Sequence, residues 1–199
     1  DQRAMDGMSL AFTSDPLPER LEILGYPEVT LRLESDHPLA LVIVRLCEVW
    51  PDGASTVVTR ALQNLTHRES DEHPTALVPG EPFTATVRLD ATGHAFAPGN
   101  RIRVGVSPTY WPLAWPSPRA ATLRIFDVEL ELPLRRRTDE VAQPFGPPEF
   151  PAKLAAEQVT EGSGARRIER DLARGAATLV FDWDMDGRRR LLESRIESE

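Results

Sequence analysis

The sequence predicts an all-β protein built around an antiparallel sandwich. Short segments alternate between apolar and polar residues, turn residues separate them, and no segment has helical periodicity. Among the 199 residues are 18 prolines and 12 glycines, which favour many short strands over long helices. A chain of 22.2 kDa buries about 70% of the surface that its unfolded form exposes, so this core needs no disulfide or metal to be stable.

The alternating segments are the predicted strands. Glu28–Glu34 alternates strictly and places Val29, Leu31 and Leu33 on one face. Ala40–Val49 is richer in apolar residues, which predicts a central strand buried on both faces. The other predicted strands are Ser9–Thr13, Leu21–Leu24, Thr56–Gln63, Phe83–Leu89, Arg101–Ser107 and Ala121–Leu132.

The connections between the strands indicate the topology. Pro51–Gly53 forms a tight turn, so Ala40–Val49 and Thr56–Gln63 are expected to pair as a hairpin. Thr66–Pro79 is polar and is predicted to be a surface loop. Long connections favour a Greek-key path over a simple meander. The predicted fold class is therefore a jelly-roll, galactose-binding-like β-sandwich with a C-terminal strand-rich extension.

A change in composition after Leu134 divides the chain. The predicted domains are a sandwich over 1–134, a Pro-rich linker or strap over 135–152, and a strand-rich extension over 153–199 packed on the sandwich. The strands predicted in the extension are Arg166–Asp171, Ala177–Trp183 and Arg189–Ile196.

Charge and cysteine content exclude several classes of function. The net charge of −8 argues against binding to nucleic acid or to an anionic membrane surface, and no apolar run is long enough to span a membrane. Cys47 is the only cysteine, which rules out an internal disulfide and favours a cytoplasmic location. Because the chain begins with Asp1 rather than methionine, we expect it to be part of a longer protein. Whether that longer protein carries a secretion signal is left open by this sequence.

No pattern in the chain predicts a catalytic residue. A nucleophile elbow requires Gly-x-Ser-x-Gly, followed along the chain by an acid and a histidine. The nearest segment, Gly162-Ser163-Gly164, has glycines directly beside the serine and lacks that spacing. The histidines lie in or beside predicted loops and are His37, His67, His73 and His94. We therefore expect neither a catalytic site nor a cofactor within the chain.

One set of carboxylates has the spacing of a calcium-binding loop. The set is Asp182, Asp184, Asp186 and Glu193. The segment before it alternates like a strand, and Arg188–Arg190 would place three positive charges inside the loop. A hairpin that turns at Met185-Asp186-Gly187 explains the same residues, because Asp-Gly is a favoured hairpin dipeptide. The hairpin is preferred, and calcium is the weaker alternative.

The aromatic residues Tyr110, Trp111 and Trp115 form the most distinctive cluster in the chain. Exposed aromatic rings in jelly-roll modules bind sugars by stacking on them, which is one interpretation. The other is that the rings pack in the core or against a neighbouring domain, where they contribute large contact areas. We favour packing.

Several segments resemble a known family. The main one is Pro79–Pro118, and the others are Phe12–Leu17, Val49–Ser55 and Asn64–Arg68, while Asp1–Arg3 resembles the point where such proteins leave their hydrolase domain. The family is the C-terminal, non-catalytic domain of the X-Pro dipeptidyl-peptidase and cocaine-esterase-like (CocE/NonD) serine hydrolases. The likeness covers residues 1–135 strongly and the tail more weakly.

The resemblance implies a partner and a role. In such enzymes an α/β-hydrolase domain of the same polypeptide carries the Ser-Asp-His triad, and the sandwich packs on it and can wall the substrate cleft of an esterase or peptidase. Tyr110, Trp111 and Trp115 are then candidates for the domain interface or cleft wall, and a homodimer is possible through the same surface if it is free. An independent carbohydrate- or ligand-binding module is the alternative.

Overall fold

The computed structural model describes residues 1–135, 146–150, 156–184 and 188–191. The chain divides into two compact units, Asp1–Glu140 and Val141–Glu199. The first unit contains α1 (Arg3–Asp6), β1 (Leu10–Thr13), β2 (Leu21–Gly25), β3 (Glu28–Ser35), β4 (Leu41–Val49), β5 (Ser55–Asn64), a 3₁₀ turn (Leu65–His67), β6 (Phe83–Arg88), β7 (Thr92–Phe96), β8 (Arg101–Ser107) and β9 (Leu123–Glu131). Nearly every strand begins and ends close to the bounds that alternation predicts.

The first unit is an all-β sandwich, as predicted. One layer is the antiparallel sheet β1-β8-β4-β5, and the other strands form the sheets β6-β3-β9 and β2-β7. Alternate residues of β4 and β8 join a single hydrophobic core with residues of β3 and β6. Among the core members are Val44, Leu46, Val104, Leu31, Leu33 and Val87. The period-two pattern therefore sets the inward face of each strand.

Strand β4 is buried on both faces, which confirms the prediction for Ala40–Val49. Val42, Val44 and Leu46 face the core. Arg45 and Cys47 point to the opposite face of the sheet and are equally buried. A charged side chain buried on the outer face requires a covering layer, which comes from other parts of the chain.

The long connections gather at one end of the sandwich. Ser35 at the end of β3 pairs with Leu123 at the start of β9, and Ser107 at the end of β8 pairs with Ile43 near the start of β4. The loops 36–40, 65–82 and 108–122 therefore leave from this end. The turn at Trp50–Ala54 lies at the opposite end, where Val49 pairs with Arg101.

Two elements of the first unit escape sequence analysis. The helix α1 has only four residues, too few for helical periodicity to register. Strand β7 lies in the Gly/Pro-rich crossing between two predicted strands and pairs with β2, Phe96 opposite Leu21. Both elements are fixed by contacts with distant residues rather than by local pattern.

The second unit has strands where the tail predicts them, but one predicted pairing is wrong. It contains β10 (Ala156–Thr160), β11 (Ser163–Asp171), β12 (Ala176–Asp184) and β13 (Arg188–Leu191). Strand β12 pairs with β11 over nine residue pairs, and β13 pairs with β10. Among the described residues, each of these two strands therefore has a partner other than the one expected in the hairpin. The turn of that hairpin at 185–187 and the end of the third predicted strand lie outside the described residues. Alternation identifies strands but not their partners.

The predicted linker over 135–152 falls mostly outside the described residues, and its role stays a prediction. So does the packing of the extension on the sandwich. Within the ranges that the structure covers, no helix is long and apolar enough to cross a membrane.

Candidate functional site

The predicted aromatic cluster lies in the connection between β8 and β9, residues 108–122, here called the aromatic loop. Its three rings have different environments: Tyr110 is buried, Trp111 is half-buried, and Trp115 is 86% exposed. The Tyr110 carbonyl oxygen accepts hydrogen bonds from the amides of Leu113 (2.9 Å) and Ala114 (3.0 Å), which form a tight turn. The peptide bond between Trp111 and Pro112 is cis. Tyr110 is therefore the anchor of the loop, and Trp115 is its exposed ring.

Tyr110 is anchored over a buried arginine. The guanidinium carbon of Arg45 lies 5.7 Å from the centroid of the Tyr110 ring, and Arg45 is 0% exposed. The guanidinium also lies across the neighbouring strand at Gly105, where a Cβ atom would come within 2.9 Å of Arg45 Nη2. Glycine at this position of β8 leaves the space that the guanidinium occupies.

The segment of residues 1–9, here called the first segment, provides the polar partners of Arg45. Arg45 Nη1 donates to Gln2 Oε1 (2.9 Å) and lies 3.0 Å from Asp6 Oδ1, and Arg45 Nη2 donates to Ser9 Oγ (3.0 Å). Tyr110 also donates its hydroxyl hydrogen to Gln2 Oε1, at 3.2 Å. We call Arg45, Gln2, Asp6, Ser9 and Tyr110 the Arg45 cluster. It joins the first segment and the aromatic loop on the outer face of the sheet.

The carboxylate of Asp6 carries the negative charge of the cluster. Burial alone would raise the pKa of Asp6, but the hydrogen bond from Arg103 (2.8 Å), the neighbouring Ser55 and the charge of Arg45 outweigh it and lower the pKa. Asp6 therefore lies between two cations, one fully buried and one at the surface. An ionised Asp6 is what makes a buried guanidinium tolerable here.

A second buried carboxylate, Glu48, lies toward the opposite end of β4. Glu48 Oε1 accepts hydrogen bonds from the amide of Ala97 (2.9 Å) and from Asn100 Nδ2 (2.7 Å), and Glu48 Oε2 lies 2.9 Å from His94 Nε2. Burial would raise the pKa of Glu48, but these three partners lower it. Glu48 and its three partners connect β4 to β7 and to the turn that follows β7, so the role of this second group is structural.

The far end of the aromatic loop is tied to the β3–β4 connection. Asp36 accepts a hydrogen bond from the amide of Thr122 (2.7 Å) and another from His37 (2.9 Å), and its own amide donates to the Thr122 carbonyl (3.2 Å). The amide of Thr122 and the His37 ring lower the pKa of Asp36 to about 2. The loop is thus held at its beginning by Tyr110 and at its end by Thr122.

Exposed apolar side chains collect at this end of the sandwich. They are Leu39, Val78, Leu113 and Trp115, each on one of the loops that leave from this end, and we call these four side chains together the apolar end. The amide of Leu77 donates to the Pro38 carbonyl, which places Val78 beside Leu39. A small pocket of about 200 Å³ adjoins it and is lined by His37, Pro38, Leu39, Pro118 and Arg119. A surface of this kind is typical of a contact with another protein domain.

Only part of the calcium-like set can be located. Asp182 and Asp184 lie in β12, opposite Ala165 and Ser163 of β11, while Asp186 and Glu193 lie outside the described residues. Over the stretches that the structure covers, no group of three His, Cys, Asp or Glu residues is placed to hold a metal ion. Calcium binding at this set stays untested.

The sequence pattern predicts the aromatic loop but not the residues that position it. Arg45 and Glu48 interrupt an otherwise apolar strand. Charged residues within a segment that is predicted to be buried are the sequence signal that could have indicated buried charges there. Their partners Asp6 and Asn100 are 39 and 52 positions away along the chain, so no local pattern connects them.

Comparison with known proteins agrees with this architecture. The chain is 31% identical to a protein of Mycobacterium bovis that is named as a putative serine esterase. The match covers 54% of this chain and 20% of that protein. The cocaine esterase of a Rhodococcus species is 27% identical, with 52% of this chain and 18% of that protein covered. This chain therefore spans about a fifth of the length of these relatives.

Solved structures have the same fold. An alpha-amino acid ester hydrolase superposes with a TM-score of 0.64 at 28% identity, covering 68% of this chain and 27% of that one. A CocE/NonD family hydrolase from Staphylococcus aureus gives a TM-score of 0.55 at 14% identity, covering 63% and 30%, a likeness of fold alone. The family model for the X-Pro dipeptidyl-peptidase C-terminal non-catalytic domain matches residues 2–132. The chain belongs to that family, as its turn and aromatic motifs predict.

Proposed function

We propose that this chain is the accessory sandwich of a CocE/NonD-type serine hydrolase and that it stabilises the catalytic domain and forms part of the substrate cleft. The family description as non-catalytic supports the accessory role, and the relatives named as esterases support a parent that hydrolyses an ester or amide. Such a parent acts through an acyl-enzyme on its own catalytic domain. The triad belongs to that domain and not to this chain.

The observation that carries the proposal is the apolar end. Trp115 and Leu113 are exposed on a loop that is fixed at both ends, so their positions are set before any partner binds. Tryptophan is one of the residues enriched among those that carry most of the binding energy of an interface, and a position fixed in advance lowers the entropy cost of binding. Trp115 and Leu113 are therefore the contact residues, the half-buried Trp111 is a further candidate on the same loop, and Tyr110 anchors the loop. In the isolated chain the same surface is the one through which a homodimer would form.

The test uses the longer parent polypeptide. Replacing Trp115 with alanine is expected to remove about 2 kcal/mol of interdomain interaction. The temperature at which the parent loses esterase activity on p-nitrophenyl acetate should fall, and KM should rise if the loop walls the cleft. Trp50→Ala is the matched control, because Trp50 is also a partly exposed tryptophan but lies at the opposite end of the sandwich.

Two results would count against the accessory role. One is that Trp115→Ala and Trp50→Ala change the inactivation temperature and KM equally. The other is hydrolysis of p-nitrophenyl acetate or of an X-Pro-p-nitroanilide by the purified 199-residue chain at a rate that Trp115→Ala does not alter. The second result would place a catalytic site within the chain.

A second candidate function, carbohydrate binding, is favoured by a feature of the second unit. The rings of Phe181 and Trp183 on β12 are both exposed and parallel within 9°, with centroids 6.3 Å apart. Exposed, ordered aromatic rings are suited to stacking on sugar rings. If this is their function, affinity electrophoresis of the chain in soluble polysaccharides should show retardation that Trp183→Ala abolishes and Trp50→Ala does not. Equal mobility of all three proteins in every polysaccharide would reject it.

A further inference from the structure

The Arg45 cluster connects two segments that are far apart in the sequence. The first segment lies along the sheet, with the amide of Gln2 donating to the Ser55 carbonyl at 2.7 Å. The aromatic loop reaches the same place through Tyr110, about a hundred residues later. The two segments meet at Arg45, which is completely buried.

The polar contacts of Arg45 are unevenly distributed between the two segments. In the described part of the chain, the groups that hydrogen bond or ion pair with its guanidinium are Gln2, Asp6 and Ser9, all from the first segment. The aromatic loop contributes only the face of the Tyr110 ring. The first segment therefore supplies the neutralising charge, and the loop supplies the cover that excludes water.

This division makes the position of Tyr110 over Arg45 dependent on the carboxylate of Asp6, which neutralises the charge of Arg45. If the first segment leaves the sheet, Arg45 loses its carboxylate and its hydrogen-bond acceptors while still lying beneath Tyr110. A cation–π contact is weaker than the cost of holding an unpaired guanidinium away from water. The lower free energy is then reached by moving Tyr110 aside so that water can solvate Arg45.

We propose that the Arg45 cluster is a conformational coupling device, in which the aromatic loop keeps its position only while the first segment is docked. Gln2 is the direct link, because its Oε1 accepts from both Arg45 and Tyr110. Asp6 acts indirectly, through the charge of Arg45. Tyr110 is the root of the turn that carries Leu113 and Trp115, so displacement of Tyr110 displaces the exposed end of the loop.

Hydrogen exchange of the 199-residue chain tests the coupling. The reporters are the amides of Leu113 and Ala114. Both donate a hydrogen bond to the Tyr110 carbonyl, and neither of these two bonds involves Asp6. Asp6→Asn removes the charge and keeps the shape, and it is expected to raise exchange at both amides about tenfold. Gln2→Ala, a milder change, is expected to raise it in the same direction.

Two controls separate coupling from general loosening. Asp15→Asn makes the same chemical change at an exposed site on the first unit and should leave both amides unchanged. Val87→Ala weakens the core on the opposite sheet and reports the effect of lower global stability. Replacing Arg45 with methionine removes the charge that requires pairing, so Asp6→Asn added to Arg45→Met should not raise loop exchange further.

The proposal is overturned by either of two patterns. In the first, Asp6→Asn raises exchange in residues 1–9 while Leu113 and Ala114 exchange as in the unaltered protein. In the second, Val87→Ala raises exchange at those two amides as much as Asp6→Asn does, or the effect of Asp6→Asn persists in the Arg45→Met background. Either pattern would mean that the loop is ordered independently of the first segment.

Discussion

Replacing Asp6 with alanine is expected to lower the free energy of unfolding by about 3–5 kcal/mol, because it leaves a fully buried guanidinium without its counter-charge. Urea denaturation followed by far-UV circular dichroism measures the change. The unaltered chain and Asp15→Ala, which removes an exposed carboxylate, are the references.

The double variant Asp6→Ala with Arg45→Met gives the sharper comparison. Methionine fills much of the space of the arginine stem without a charge, so the double variant should be more stable than Asp6→Ala alone. Arg103 is partly exposed and can turn to water when Asp6 is missing. If Asp6→Ala costs no more than Asp15→Ala, or if the double variant is the less stable of the two, the ion pair is not what holds the first segment on the sheet.

Replacing Glu48 with alanine is expected to cost about 3 kcal/mol or more at neutral pH. The change leaves the part-buried amide of Ala97 and the buried side chain of Asn100 without an acceptor, and a buried group in this state costs about 1–3 kcal/mol. It also removes the partner of His94. Glu48→Gln keeps an acceptor oxygen for Ala97 and Asn100, so it should retain most of the stability that alanine loses.

The cost of Glu48→Ala should depend on pH in a definite direction. The folded protein lowers the pKa of Glu48, so the carboxylate contributes stability that is fully present above its unfolded pKa and is lost as pH falls through its folded pKa. The difference between the unaltered chain and the variant should therefore narrow below about pH 4. A difference that is constant from pH 7 to the acid transition would contradict this assignment. Asp6 and Asp36, whose pKa values are also lowered, add to the acid sensitivity of both proteins.

The strands of the sandwich could be predicted because each one buries a single face or both. Val29, Leu31 and Leu33 alternate with polar residues, and all three lie in the core. The apolar richness of Ala40–Val49 predicted burial on both sides, and the structure confirms it. In each case a local pattern reports a local environment.

What the sequence could not reveal are contacts between residues that are distant along the chain. Tyr110 was identified with Trp111 and Trp115 as an interface candidate, yet only the structure separates a buried anchor from an exposed ring. The difference arises from Arg45 and Gln2, which lie on other segments. The same limit explains the second unit, where alternation located β12 but Asp186-Gly187 suggested the wrong partner for it.

The dependence of Arg45 on the first segment also determines which piece of this protein is portable. A fragment that begins at Leu10, the start of the first strand, would keep every strand of the sandwich. It would nevertheless lose Gln2, Asp6 and Ser9 and leave the Arg45 guanidinium without these partners. The family model begins at residue 2, upstream of every strand and in time to include all three. The matched region of this chain thus includes the counter-ion of Arg45, and any graft of this sandwich onto another enzyme should begin there as well.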